Sequence, residues 1–210
     1  MSQSIYVDFR LWQSEATGAA VFEQEKMHVA KMIERLHPKL VVQIEGRALL
    51  DHYPDDQYYY HVSEDANAHA VGYTVEAEQG FLPFPDQSVD LLIIGHALEL
   101  YQNHQSLFIE VERVLSPNGR VFMATLANYW LGTLPKHYHP LGDLRVAPQP
   151  MRKIKRWLDA SDLAIVAEHS LISDHKVMMS ERLKETIIRP IGLEIQRVVP
   201  QWAGMAGAVK

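Results

Sequence analysis

The chain has 210 residues, of which 47% are hydrophobic and 22% are charged, and its formal net charge is −6. This length and composition fit one α/β domain with an ample core, and no window holds the roughly twenty apolar residues that a membrane span needs. Cysteine is absent, which excludes disulfides and thiolate metal sites, and the acidic balance argues against nucleic acid as the main partner.

The first part of the chain predicts a flap, a helix and three short strands. Residues 1–18 are mixed and polar, lack the pattern of a secretory signal, and are expected to lie on the domain as an N-terminal flap of a cytoplasmic protein. Val21–Leu36 carries apolar residues near one helical face and is followed by a proline. Short apolar runs then predict strands at Leu40–Ile44, Tyr58–Val62 and Tyr73–Glu76.

The strongest pattern lies between Leu82 and Thr125. Leu91–Ile94 is a continuous apolar run, as expected for a strand that is buried on both faces. His104–Leu115 places its apolar residues on one helical stripe, and Ser116–Gly119 predicts a turn that ends the helix. Val121–Thr125 is again apolar. Strand, helix and strand with these connections predict a right-handed βαβ unit with parallel strands.

After Thr125 the periodicity weakens. Residues 128–150 contain four prolines and are expected to form a lid or insertion loop. The spacing of Met151, Ile154, Trp157 and Leu158 predicts an amphipathic helix. The remaining predicted elements are a sixth strand at Leu163–Ile172, a short helix at Ser180–Arg189 and a final strand at Ala203–Val209. We expect all of them to belong to a single domain spanning 1–210.

Three pieces of this chain occur in a characteristic order: Leu-Pro-Phe-Pro-Asp-Gln-Ser-Val-Asp (82–90), Gly-His-Ala-Leu-Glu-Leu (95–100) and Arg-Val-Leu-Ser-Pro-Asn-Gly (113–119). In this order they resemble small class I S-adenosylmethionine (SAM)-dependent methyltransferases of the methyltransferase type 11-like kind. The resemblance implies a Rossmann-like α/β fold with a seven-stranded, mostly parallel sheet. Its last strand is antiparallel and lies between the fifth and the sixth.

The resemblance also implies a site for SAM beyond the carboxyl ends of the strands. Members of the family have a glycine-rich turn after the first strand, where this chain reads Gln-Ile-Glu-Gly-Arg-Ala-Leu over 43–49. Gln43 stands where an acidic residue is usual, and Gly46 is the glycine that remains. Arg47 and Leu49 are expected to carry Cβ atoms into the space that the cofactor normally occupies. Arg47 could instead contact the methionine carboxylate, but a solvent-facing side chain is favoured.

Other cofactor contacts are implied after the second and third strands. Glu64 is the favoured acceptor for the ribose hydroxyls, with Asp65 as the alternative. Glu78 is implied to meet the adenine amino group, with Glu76 as its competitor if the third strand is shifted. Gln79 would offer its backbone N–H to the adenine ring.

Histidines suggest two further features. His96 is at the end of the fourth strand and would lie beside the sulfonium and the acceptor, either as a general base or as a wall of the pocket. His137, His139 and Asp143 have the spacing of metal ligands. Eleven histidines make such pairs common by chance, so no metal is expected.

Residues 152–157 are basic and aromatic, and could either touch phosphate or form the solvent face of a helix. We favour the solvent face. Aromatic residues just after the fifth strand could roof a substrate pocket.

The leading functional hypothesis is SAM-dependent transfer of a methyl group to a small-molecule acceptor beneath residues 128–150. The alternative is a pseudoenzyme, a methyltransferase-like protein that has lost cofactor binding and has an interaction or regulatory role. A nicotinamide oxidoreductase is disfavoured, because no Gly-x-Gly-x-x-Gly follows a predicted strand. Neither nucleic acid nor a membrane is expected as a partner, and the sequence does not indicate an oligomeric state.

Overall fold

The computed structural model describes residues 9, 11–53, 56–63, 72–128, 148–171 and 188–198. A helical turn over 11–14 comes first. The helices that follow are α1 (Ala16–Leu36), α2 (Ala97–Leu100), α3 (His104–Val114) and α4 (Met151–Ala160). The strands are β1 (Leu40–Ile44), β2 (Tyr58–Ser63), β3 (Tyr73–Glu76), β4 (Val89–Gly95), β5 (Leu115–Asn128), β6 (Gln149–Pro150), β7 (Leu163–Ser170) and β8 (Ile188–Arg197).

Seven strands form one sheet in the order β3-β2-β1-β4-β5-β8-β7, and the short β6 pairs with the end of β5. Neighbouring strands from β3 to β5 are parallel, whereas β8 is antiparallel to both β5 and β7. The order changes direction at β1, so the carboxyl ends of β1 and β4 form the topological switch point where α/β sheets bind ligands. The predicted sheet, including the inserted antiparallel strand, is confirmed.

Burial explains why β1 and β4 lie at the centre of the sheet. Side chains of Val41, Val42 and Leu91–Ile94 have no exposed surface, as continuous apolar runs require when both faces are covered. Asp90 fixes the start of the pair, because its Oδ2 accepts hydrogen bonds from the backbone N–H groups of Lys39 (3.0 Å) and Leu40 (3.1 Å).

The turn predicted at Ser116–Gly119 is instead an irregular part of β5. α3 ends at Val114, and β5 begins immediately afterwards. Leu115 pairs with Val89 and Arg120 with Leu91, so extra residues of β5 bulge out between two positions that are close together on β4. Because the pairing with β4 resumes after the bulge, the turn residues do not end the strand.

The last strand differs from the predicted one. Ile188–Arg197 fills the antiparallel position between β5 and β7, and it includes the last two residues of the helix predicted over Ser180–Arg189. The remainder of that helix, residues 180–187, and the strand predicted at Ala203–Val209 lie outside the described residues. So does most of the predicted 128–150 loop.

The amino-terminal region packs closely on the sheet. α1 begins at Ala16, and Phe9 and Trp12, within the predicted flap, are 2% and 3% exposed. Near the other end of α1, Arg35 Nη2 donates to Glu194 Oε2 of β8 at 2.6 Å. None of the helices in the described part of the chain is long and apolar enough to cross a membrane.

Candidate functional site

The loop after β1 is held in place by Gln43. The Nε2 of this buried side chain donates to the carbonyl oxygens of Glu45 (2.9 Å) and Arg47 (2.7 Å). Its Oε1 accepts from the backbone N–H of Leu49 (3.0 Å) and from the hydroxyl of Tyr59 (2.7 Å). The amide therefore satisfies both donors and acceptors of the loop, which a carboxylate at this position could not do.

The loop comes unusually close to the end of β4. Glu45 and Gly46 both have positive φ, 57° and 71°. A Cβ on Gly95 would lie 2.7 Å from the carbonyl oxygen of Glu45, and one on Gly46 would lie 3.0 Å from that of Gly95. Both glycines are therefore required by the contact between backbones, although the other glycines usual in this turn are absent.

The carboxylate of Glu45 is buried at the switch point, directly after β1. It is 1% exposed, and it accepts hydrogen bonds from the hydroxyls of Ser63 (2.7 Å) and Tyr101 (3.1 Å). Ser63 ends β2 and Tyr101 follows α2, so this carboxylate connects three segments that meet at the carboxyl edge. Residue 45 adopts a conformation that favours glycine, which costs on the order of 1 kcal/mol.

His61 supports the same loop from β2. Its Nε2 lies 3.1 Å from the carbonyl oxygen of Gly46 and 3.3 Å from that of Glu45, so this nitrogen carries the proton and donates. Burial lowers the pKa of His61 and outweighs these two hydrogen bonds, which raise it. The ring is therefore a neutral structural donor at neutral pH.

His96 is completely buried between two carboxylates. Its Nε2 is 2.7 Å from Oε1 of Glu25 on α1, and its Nδ1 is 3.6 Å from Oε2 of Glu99. The other oxygen of Glu99 accepts from the hydroxyl of Thr125 and the N–H of Leu126, each at 2.6 Å. Burial alone would lower the pKa of His96, but the charges and hydrogen bonds of Glu25 and Glu99 raise it to about 10.

Two aromatic side chains from the amino terminus cover this histidine. The ring centroids of Phe9 and Trp12 are 4.8 Å and 6.0 Å from that of His96. Arg47 points away from the loop, with its guanidinium 4.1 Å from the centre of the Phe22 ring and Nη1 3.5 Å from the carbonyl of Gln13. Together with Glu25, these contacts place the first helical segments directly over the ends of β1 and β4.

The segment before β4 is more open. Arg113 donates to the carbonyl oxygens of Leu82 and Phe84, each at 2.8 Å, and Glu110 Oε2 accepts from the N–H of Leu82 at 2.8 Å. These bonds fix the loop that carries Glu78 and Gln79. Glu78 is exposed and Gln79 is half-buried, with its Oε1 accepting from the N–H of Gln102.

The structure thus brings some predicted site residues together and adds others. Gln43, Gly46 and His96 meet at the switch point, Glu78 and Gln79 lie on the loop after β3, and Glu64 lies outside the described residues. Sequence reasoning missed Glu25, Glu45, His61 and Tyr101 as members of this cluster. Glu45 alone had a local signal, since it stands inside the degenerate glycine turn.

These residues fit the two ends of SAM differently. The nucleoside end needs an accessible acceptor after β3, and the exposed Glu78 meets that requirement. The resemblance implies that the methionine end lies beside the loop and His96, a position that the buried Phe9, Trp12 and Glu25 occupy. The described arrangement therefore fits the nucleoside end but not the methionine end.

Comparison with known proteins finds a family match in the middle of the chain. Residues 55–123, about a third of the chain, match the family described as "Methyltransferase domain". No curated protein sequence matches the chain. The match covers β2 to the first part of β5, including the three motif pieces.

Solved structures agree over a longer range. The geranyl diphosphate C-methyltransferase from Streptomyces coelicolor A3(2), in complex with Mg²⁺, geranyl diphosphate and S-adenosyl-L-homocysteine, gives a TM-score of 0.62 at 12% identity, covering 82% of this chain and 77% of that one. An O-methyltransferase from a trans-AT PKS multienzyme of Brevibacillus brevis, bound to S-adenosyl-L-homocysteine, gives 0.59 at 10% identity, covering 82% and 71%.

One similar structure has a different activity in its name. The [4+2]-cyclase SpnF gives a TM-score of 0.60 at 11% identity, covering 83% of this chain and 82% of that chain. At such identities a structural match establishes the fold alone. The chain therefore has the fold of the class I SAM-dependent methyltransferases, and its residues 55–123 match the methyltransferase domain family.

Proposed function

We propose that this protein is a SAM-dependent methyltransferase that acts on a small molecule. The observation that carries the proposal is the combination of the family match over 55–123 with a sheet whose switch point lies at β1 and β4. The similar structures that contain S-adenosyl-L-homocysteine or geranyl diphosphate support both the cofactor and the class of acceptor.

In this proposal the nucleoside end of SAM binds along the loop after β3. Glu78 accepts from the adenine amino group, the backbone N–H of Gln79 contacts the ring, and Glu64 takes the ribose hydroxyls. Gln43 and Gly46 shape the loop beneath the cofactor, as their hydrogen bonds and φ angle support. When bound, SAM supplies the methyl group.

The methionine end requires a change in the amino-terminal segment. Phe9 and Trp12 lie on His96, and Glu25 is bonded to it, so these groups must move before a ligand can reach the end of β4. His96 has no exposed surface in the closed arrangement. His96 can therefore contact the reacting groups only after Phe9, Trp12 and Glu25 have moved.

Calorimetric titration with SAM tests the proposal. We expect wild-type protein to bind SAM, and Glu78→Ala to weaken binding by about tenfold or more, since a hydrogen bond to a charged acceptor is worth about 1.5–3 kcal/mol. Glu76→Ala, which removes the competing exposed carboxylate, is expected to leave the dissociation constant within about twofold, as is Glu34→Ala on the exposed side of α1.

Equal losses in the Glu76 and Glu78 variants would contradict the assignment of the adenine contact. Absence of heat and of thermal stabilisation at millimolar SAM would contradict the cofactor itself. That second result would favour the alternative, an interaction or regulatory domain. The sequence feature behind that alternative is the loss of glycines from the turn after β1, and the comparisons with known proteins do not support it.

A further inference from the structure

The exposed side of α4 is strongly basic in a chain whose formal net charge is −6. Arg152, Lys153, Lys155 and Arg156 are all exposed, and Asp159 is the single acidic residue of the helix. We call these four side chains the α4 basic face. None of them makes a hydrogen bond or an ion pair with any residue in the described ranges.

Arginines elsewhere in the described chain behave differently. Arg35 is bonded to Glu194, Arg113 to Glu110 and Asp86, and Arg197 to Glu112. Arg47 and Arg120 donate to backbone carbonyl oxygens. Within the described ranges Arg152 and Arg156 have no acidic partner, although this chain has more acidic than basic residues.

The opposite side of α4 is used for packing. Met151, Ile154 and Leu158 are buried in the core, with exposures of 6%, 0% and 1%. Trp157 stacks on His104 with ring centroids 4.6 Å apart. Because its apolar residues are already covered, α4 cannot insert into a lipid surface as an amphipathic helix, and only its charge remains available to a ligand.

Contacts place the start of α4 beside the carboxyl edge of the sheet. Gln149 and Pro150 of β6 pair with the last two residues of β5, and α4 begins at the next residue. His104, on which Trp157 stacks, donates to the carbonyl oxygen of Leu98, two residues after His96. The first turn of α4, which carries Arg152 and Lys153, therefore lies beside the carboxyl edge of the sheet, the end at which α/β sheets bind ligands.

We propose that the methyl acceptor carries a phosphate or diphosphate group, which binds to the α4 basic face. Two arginines offer bidentate hydrogen bonds to phosphate oxygens, and two lysines add point charges that are free to follow the ligand. The inference rests on the proposed function, because it takes the anion to be part of the methyl acceptor.

Binding of inorganic pyrophosphate to the full chain tests this inference. We expect calorimetry to show binding that weakens with salt, and the double variant Lys153→Gln with Lys155→Gln to reduce the affinity about tenfold. The variant in which all four basic residues become glutamine is expected to lose binding. A charge-matched control, Lys31→Gln with Lys39→Gln, removes two exposed lysines elsewhere and is expected to change the affinity less than about twofold.

Equal losses in the two lysine pairs, or no binding by wild type at millimolar pyrophosphate, would overturn the inference. Vesicles of phosphatidylserine in phosphatidylcholine distinguish the source of the phosphate. Sedimentation with vesicles without pyrophosphate binding would assign the surface to lipid headgroups and overturn a small-molecule acceptor. Binding of single-stranded RNA without pyrophosphate binding would overturn it as well.

Titration of SAM into the same four-residue variant separates this inference from the proposed function. Retained SAM binding with lost pyrophosphate binding supports both. If the wild-type protein binds pyrophosphate but not SAM, the anion site is supported and the proposed methyltransferase function is contradicted. SAM binding that needs the α4 basic face would overturn its assignment to the acceptor.

Discussion

Replacing Glu25 with alanine is expected to lower the free energy of unfolding by roughly 3–5 kcal/mol, the cost of removing one partner from a buried ion pair. Glu25 and His96 have side-chain exposures of 2% and 0%, and their charged atoms are 2.7 Å apart. Loss of the carboxylate leaves the imidazolium with Glu99 alone at 3.6 Å. Chemical denaturation with a two-state analysis measures the effect.

Two further variants identify the cause of this loss. Glu23→Ala removes an exposed carboxylate from the same helix and is expected to change stability by less than about 0.5 kcal/mol. Glu25→Gln keeps a hydrogen-bonding group beside Nε2 but removes the charge, so its loss is expected to be intermediate. If Glu25→Ala were as stable as Glu23→Ala, α1 would not be anchored through His96.

The second large effect concerns pH. His96 has a pKa of about 10 in the folded protein, compared with 6.5 for an ordinary histidine. Because the folded pKa is the higher one, the stabilisation by the imidazolium is complete below pH 6.5 and is lost as the pH rises towards 10. Each pH unit in that window costs about 1.36 kcal/mol from this group alone.

An NMR titration of the imidazole resonances measures this pKa directly, with His96→Gln to assign the signal. We expect the His96 signal to stay in the protonated form through pH 6.5 and to titrate only near 10. The pKa of His61 should be shifted in the opposite direction, to below 6.5. A His96 midpoint near 6.5 would mean that the Glu25 and Glu99 contacts are not formed in solution.

The part of the fold that the sequence predicts best is held together locally. Arg113 of the Arg-Val-Leu piece binds the carbonyl oxygens of Leu82 and Phe84 in the Leu-Pro-Phe piece. The motifs therefore occur together because one side chain joins them across the βαβ unit. Apolar runs predict β1 and β4, and helical periodicity predicts α3 and α4, because the buried residues of each element form a recognisable pattern in its own sequence.

The strand between β5 and β7 is Ile188–Arg197, and the burial of its residues depends on its neighbours. Ile191, Leu193 and Ile195 alternate with Gly192 and Glu194, a period of two that predicts a strand. The more continuous apolar run at Ala203–Val209 predicts a final strand in residues that lie outside the described ranges. Glu194 is paired with Arg35 of α1 and His169 of β7, so its burial depends on the assembled sheet and has no signal in the local sequence.

The candidate site was predictable at its positions but not in its contacts. His96 at the end of β4 and Gly46 in the loop after β1 follow from the resemblance. Glu25 lies 71 residues before His96, and Tyr101 lies 56 residues after Glu45. No local pattern indicates which of the chain's carboxylates contact residues so far away in the sequence. The packing of the first helix over the site is therefore visible only in the structure.

Hydrogen exchange measured with and without SAM tests most directly whether the carboxyl edge of this sheet is a cofactor site. We expect slower exchange in the loop over 43–50 and in the segment 77–82 when SAM is present, with faster exchange over 11–25 as the amino-terminal helices lift from His96. Unchanged exchange in all three segments at millimolar SAM would contradict it.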